Sequence, residues 1–161
     1  MNNKQPIAYV ICGFIGAGKT TFSRKLEKET KATRITKDEW MIKIFGNKIT
    51  LDKNFEEYDN NVTELARNIA FKILESGGDV IIDEGFWVKS QRDDIKKKIL
   101  DTGAKPIFYY IDCSVEEMRE RVVNRSKNPP LDSFEINEEM FDSYLKYWQP
   151  PKEDEEFIPT K

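Results

Sequence analysis

Apolar residues fall along the chain in two alternating rhythms. Ile7-Ala8-Tyr9-Val10-Ile11-Cys12 is a continuous apolar, β-branched run of the kind that fills a strand buried on both faces. Lys19 to about Glu29 reads as a helix, with Phe22 and Leu26 four apart. A second short strand is expected near Ala32 to Thr36, and Asp38 is placed to cap a helix from Glu39 to Phe45. Glu56 to Glu75 predicts a long helix, with Leu65, Ile69 and Ile73 stacked at spacings of four and Gly77-Gly78 as its stop. Asp79 to Asp83 is the third strand, Ser90 to Leu100 a helix, and Ile107 to Ile111 the fourth strand. Ser114 caps a helix running to about Arg125, and Glu117 completes a capping box. Asn128-Pro129-Pro130 opens a loop, Asn137 caps a final helix to Tyr147, and Pro150-Pro151 ends it. Glu153 to Glu156 reads as a solvated acidic run, and Phe157-Ile158 as a short edge strand. Alternating strands and helices predict an α/β fold: a mainly parallel sheet with helices on both faces. The first strand should lie between the third and fourth, with right-handed crossovers.

The chain has 161 residues, 39% hydrophobic and 34% charged, which suits one soluble domain spanning 1–161 with its own core. Lys plus Arg is 26 and Asp plus Glu is 29, a net charge of −3. That is no footprint for non-specific nucleic-acid binding, although a local basic groove is compatible with it. There is no histidine, which excludes Ser-His and Cys-His nucleophile pairs, His-ligated metals and His pH switches. Proton transfer then falls to Asp, Glu, Lys, Tyr, Cys or the substrate. Cys12 and Cys113 read as two buried free thiols in a reducing cytoplasm. The longest apolar stretch is too short to span a membrane and makes a poor signal peptide.

Candidate chemistry concentrates after the first strand. Gly13-Phe14-Ile15-Gly16-Ala17-Gly18-Lys19-Thr20 matches G-x-x-x-x-G-K-[ST] at every fixed position, between an apolar strand and an amphipathic helix. Glycines there let backbone N–H groups turn inward around phosphate oxygens. Lys19 supplies a movable positive charge for the β- and γ-phosphates, and the Thr20 hydroxyl suits Mg²⁺. The residues from Gly13 to Thr21 form the expected nucleotide cradle, with the helix dipole aimed at the anion. Asp83 ends an apolar strand whose tip should lie beside this loop. There it can serve the metal or simply cap the next turn. Glu84 follows, and an Asp-Glu pair at this place is also the pattern of ATPases whose Glu polarises water.

From these motifs the chain resembles the P-loop kinases of small substrates, over Ile7 to about Pro151. The branch it is most similar to holds zeta-toxin-like kinases, chloramphenicol phosphotransferase and 5′-hydroxyl polynucleotide kinase domains. The resemblance implies a three-layer P-loop NTPase fold with a five-stranded sheet in the order 2-3-1-4-5, a short lid at about 125–136, and ATP with Mg²⁺ as cofactors. It implies that Asp38, after the second strand, is the general base for an acceptor hydroxyl, a role that can coexist with helix capping. It also implies that Arg121 contacts the nucleotide and Arg125 the transferring phosphates, with Arg119 turned to solvent. The plain alternative is a solvated helix face pairing with Glu116, Glu117 or Glu120. Lys19, Asp38 and Arg125 are thus the expected catalytic residues, and Thr20 and Asp83 the metal ligands.

Polynucleotide kinases of this branch carry an Arg three residues after the base. Here Met41 stands there, which disfavours a nucleic-acid partner. Trp40, Met41, Ile44, Phe55, Tyr58, Phe86, Trp87 and Arg92 are expected to build the acceptor pocket; the aromatic and apolar ones could instead close the core, and Arg92 is placed either to hold an anionic acceptor group or to lie on a helix surface. Trp148-Gln149-Pro150-Pro151 is expected to pack near the nucleotide base. The leading expectation is a kinase acting on a small-molecule hydroxyl. The alternatives are a 5′-hydroxyl polynucleotide kinase and an ATPase or switch working on a partner protein.

Overall fold

A computed structural model describes residues 4–160, and residues 1–3 and 161 of the expected domain lie outside the described residues. The elements are β1 (Ile7–Cys12), α1 (Lys19–Thr30), β2 (Thr33–Ile35), α2 (Lys37–Phe45), a single 3₁₀ turn (Ile49–Leu51), α3 (Phe55–Glu75), β3 (Val80–Gly85), α4 (Lys89–Asp101), β4 (Lys105–Ile111), α5 (Val115–Lys127), α6 (Glu138–Leu145) and β5 (Ile158–Thr160). The five strands form one sheet in the order β2-β3-β1-β4-β5. Every pairing is parallel. β1 is central because its residues are apolar on both faces, and both faces are covered.

One core layer joins Val10 and Ile82 of the sheet to Ala66, Ala70 and Leu74 of α3 and to Ile95 and Ile99 of α4. The other joins Ile11 and Ile81 to Leu26 of α1, Met118 and Val122 of α5, and Phe141 of α6. Strand alternation therefore sends Asp83 towards α1 and Glu84 towards α3. Among the described residues, no helix is long and apolar enough to cross a membrane.

Several expectations need correction. Asp38 does not cap α2: Thr36 occupies the N-cap position and Asp38 sits inside the first turn. The buried stripe of α3 is Ala66, Ala70 and Leu74, whereas Leu65 is 55% exposed. The helix lies close against the sheet, and small alanines permit that approach better than the branched stripe one residue back. The Ser114 hydroxyl accepts from the Glu117 amide at 3.2 Å. The Glu117 carboxylate, however, takes the Ser114 hydroxyl and the Cys113 thiol, so the reciprocal half of the capping box is not formed.

The acidic run is not uniformly solvated either. The Glu155 carboxylate forms a bidentate pair with Arg92 at 2.7 and 2.8 Å. The two side chains are only 7% and 3% exposed. Arg92 also donates to the Phe86 and Gln149 carbonyls at 3.1 and 2.9 Å, so it fastens the C-terminal segment to the end of β3 and does not face an acceptor. Glu155→Ala leaves a buried guanidinium without its counter-charge. It should lower unfolding free energy by about 3 kcal/mol in urea titration. Glu153→Ala, on the exposed part of the same run, should change it by less than about 0.5 kcal/mol. Equal effects from the two substitutions would remove the clamp role of Glu155.

Candidate active site

β1 ends in the turn Gly13 to Gly18, and its shape is set by backbone more than by side chains. Gly16 and Gly18 take φ of +81° and +106°, in the left-handed region that favours glycine. At Gly16 a Cβ would also stand 2.6 Å from the Met118 carbonyl oxygen of α5. The turn is therefore pressed against α5 with no room for a side chain. Phe14 is fully buried and anchors the turn from beneath. Its ring packs on Trp87, Phe141 and Trp148 at centroid distances of 4.9, 5.3 and 5.6 Å. Trp148 thus supports the loop through Phe14 and lies outside the cavity lining, contrary to its expected place near a nucleotide base.

A cavity of about 1070 Å³ opens above this turn and is lined by Ile15, Gly16, Ala17, Gly18, Lys19, Thr20 and Thr21. Gly13 and Phe14 lie outside its lining. Lys19 Nζ donates to the Phe14 carbonyl at 2.9 Å, which curls the side chain back over the turn. Burial lowers the Lys19 pKa, and the negative charges of Asp83 and Asp38 oppose that shift. The same cavity wall includes Asp38, Asp83, Arg121 and Arg125.

The arginines of α5 are placed by neighbours that the sequence did not indicate. Arg121 donates to the Gly16 and Ala17 carbonyls at 3.1 and 3.2 Å, bracing the turn. Arg125 reaches the Ser133 hydroxyl at 3.4 Å, and burial lowers its pKa with the Arg121 charge adding to the effect. Arg119 is not turned to open solvent. It pairs with Glu138 and Asp142 of α6 at 3.3 and 2.5 Å and lies 5.2 Å from the Phe141 ring centre. None of these pairs involves the acids of α5 itself.

The carboxylates at the tip of β3 diverge. Asp83 is buried and accepts from Ser23 Oγ at 2.6 Å. Burial raises its pKa, while Ser23 and Lys19 act in the opposite sense. Glu84 also lines the cavity but lies on the α3 side of the strand, where Arg67 holds its carboxylate in three contacts of 2.7 to 3.1 Å. Burial raises the Glu84 pKa, and Arg67 partly offsets it. Gly85 and Phe86 then both take positive φ, 97° and 49°, and turn the chain so that Trp87 enters the cavity wall.

Of the expected acceptor-pocket residues, Phe55 and Trp87 line the cavity. Met41 and Phe86 are core residues, and Trp40 packs against the core. Ile44 is 65% exposed, and Tyr58 stacks on Phe45 at 4.7 Å. The lining adds residues that sequence reasoning missed: Lys37, Asp59, Phe134 and Tyr144. Lys37 Nζ contacts Asp38 at 3.1 Å and also Asp59 of α3. Burial works against the Lys37 charge, but the two carboxylates outweigh it and the pKa is raised. Residues 128–136 lean over the opening. The Glu135 amide donates to the Asn47 carbonyl at 2.9 Å, and Arg24 pairs with Asp132 at 3.3 Å.

Residues 9–151 match the AAA domain family. The shikimate kinase of Caldicellulosiruptor saccharolyticus is 25% identical over 118 residues, covering 62% of this chain and 67% of that protein. UMP-CMP kinase 1 of Oryza sativa subsp. japonica is 28% identical over 153 residues, covering 91% of this chain and 62% of that protein. The crystal structure of a candidate kinase from Chloroflexus aurantiacus superposes with a TM-score of 0.74 at 18% identity, covering 97% of this chain and 88% of that one. A glycine turn shaped for phosphate, the sheet order and the match over nearly the whole chain agree: the chain belongs to the AAA domain family, as a P-loop kinase domain.

Proposed function

We propose that this chain transfers the γ-phosphoryl group of ATP to a hydroxyl group of a small molecule. The observation that carries the reading is that the phosphate-loop lysine, Lys19, and the carboxylate of Asp38 line one cavity at the same end of a parallel sheet. In this reading the cradle from Gly13 to Thr21 binds the phosphates through backbone N–H groups, and Arg121 keeps that cradle in shape. Asp38 accepts the proton of the acceptor hydroxyl as its oxygen attacks the γ-phosphorus and the bond to ADP breaks. Lys19 and Arg125 stabilise negative charge on the transferring group. Lys37 holds the Asp38 side chain from one side at 3.1 Å. Residues 125–136 act as the lid. The whole is one kinase domain, working in a reducing compartment such as the cytoplasm, where the buried thiol of Cys12 and that of Cys113, which is only half-buried and not enclosed as expected, stay unpaired.

The residues present fit a magnesium ion. Thr20 offers an exposed hydroxyl at the start of α1, and Ser23 orients the buried Asp83 carboxylate from one side. That oxygen-only donor set suits a hard cation that keeps several waters and shares phosphate oxygens. When bound, the ion neutralises phosphate charge.

Two observations favour this reading over its alternatives. Glu84 is locked to Arg67, with its side chain 4% exposed, which leaves it poorly placed to polarise a water for an ATPase. Met41 is fully buried, so the position where related polynucleotide kinases place an Arg offers no cation to a nucleic-acid phosphate.

Asp38→Asn should lower phosphoryl transfer by about 10²–10⁴-fold while ATP affinity changes little, since the base touches the acceptor and not the nucleotide. Glu84→Gln should retain ATP affinity and most turnover. A dead Glu84→Gln beside an active Asp38→Asn would instead make the chain a water-activating ATPase.

A second expectation concerns pH. The folded state holds a proton on Asp83 more readily than the unfolded chain does, because burial raises its pKa. The ionised carboxylate therefore destabilises the fold above its folded pKa, and the penalty disappears below its ordinary value. Without nucleotide or Mg²⁺, Asp83→Asn should melt at a higher temperature than the parent at neutral pH. The gap should close as pH falls through the carboxylate range. A gap that widens on acidification would contradict the assignment of Asp83 as a costly buried charge.

A further inference from the structure

The half of the cavity away from the phosphate loop is walled by α2, α3 and residues 132–136. On that wall Lys37 is the sole cation among the described lining residues, and it stands between Asp38 and Asp59. Two carboxylates against one ammonium leave an excess negative charge, and Glu135 on the loop adds to it. Arg125 touches the loop at Ser133, 3.4 Å away, and belongs to the transferring phosphate in the kinase reading; the guanidinium groups behind the wall are engaged by carboxylates. Arg67 is taken by Glu84, and Arg34 by Glu27 and Glu39 at 3.1 and 3.0 Å. A carboxylate or phosphate beside Asp38 and Asp59 would meet like charge, with Lys37 already held between them, while losing water.

The rest of the wall is apolar and aromatic. Ile42, Phe55, Trp87, Phe134, Ile136 and Tyr144 all face the cavity. Phe55 and Phe134 meet edge to face at 6.0 Å, and Trp87 and Tyr144 lie 5.7 Å apart. Such surfaces suit the face of a ring.

We infer that the acceptor is an uncharged or cationic hydroxyl compound with an apolar ring face, and that carboxylated and phosphorylated acceptors are rejected by the Asp38–Lys37–Asp59 wall. Lys37 and Asp59 then set specificity: Lys37 neutralises part of the wall and fixes Asp38, and Asp59 keeps Lys37 from serving an anion. The inference rests on the kinase reading for its hydroxyl, but the charge preference is a property of the wall and can be measured without turnover.

The test uses three probes that share a phenol ring and differ in charge: tyramine, tyrosol and 4-hydroxyphenylacetate. With ADP and Mg²⁺ present to fill the nucleotide half, ligand-detected NMR gives the affinity of each for the intact chain. Tyramine and tyrosol should bind at least about tenfold more tightly than 4-hydroxyphenylacetate, the scale of one partly screened charge contact. Asp59→Asn frees Lys37 from one partner and should narrow that ratio, with melting temperature and ADP affinity showing that the variant is folded. Equal or tighter binding of the acid, no binding by any of the three, or an unchanged ratio in folded Asp59→Asn overturns the inference. Phosphoryl transfer measured across neutral, cationic and anionic alcohols separates the two readings. The charge order without any transfer would sink the kinase reading alone, and transfer to anionic alcohols in preference would sink the charge inference alone.

Discussion

A polyphosphate carries more charge than any side chain of this protein could match one for one, and the fold answers with backbone. The turn between β1 and α1 must point successive N–H groups at one spot, which requires left-handed glycines at Gly16 and Gly18. It must also be held still. Gly16 lies so near the Met118 carbonyl that a methyl group would not fit. Arg121 ties the Gly16 and Ala17 carbonyls to α5, and buried Phe14 fixes the turn from below. The central position of β1 follows from the same need, because strands on both sides hold its C-terminal end in place.

Once that turn is fixed, the neighbouring strand tips acquire distinct tasks through simple alternation. Asp83 falls on the α1 side and meets Ser23, close to the cradle. Glu84, one residue on, falls on the opposite face and is absorbed by Arg67. An Asp-Glu pair that looks the same in a kinase and in a water-activating ATPase is thus divided between two roles by the period of the strand. The Gly85–Phe86 bend then carries Trp87 to the cavity wall, where it packs with Tyr144 and, behind the lining, with Phe14.

The sequence made legible whatever depends on neighbours in the chain. The glycine motif, the apolar run of β1, and the alternation of strands and helices placed β1 between β3 and β4, and the family resemblance supplied the rest of the observed sheet order. What it hid depends on partners far apart in the chain. Arg92 looked like a candidate for an acceptor anion until Glu155, sixty-three residues on, was found to hold it. Lys37 carried no motif, and its meaning comes from Asp59 on another helix. Arg119 was assigned to solvent because α6 could not be placed against α5 by periodicity. The buried face of α3 was missed by one residue, since closeness to the sheet selected alanines over larger apolar side chains.

The central claim is that the cavity joins a nucleotide half to a hydroxyl-acceptor half, so that the γ-phosphoryl group leaves ATP for an alcohol oxygen and not for water. The most direct measurement follows the phosphorus in ¹⁸O-enriched water, with Mg-ATP and a fraction of cell metabolites, by ³¹P NMR and mass spectrometry. The account predicts a new phosphomonoester, free of solvent oxygen, whose formation requires the Asp38 carboxylate. Inorganic phosphate carrying solvent oxygen as the sole product, formed equally by Asp38→Asn, would contradict it.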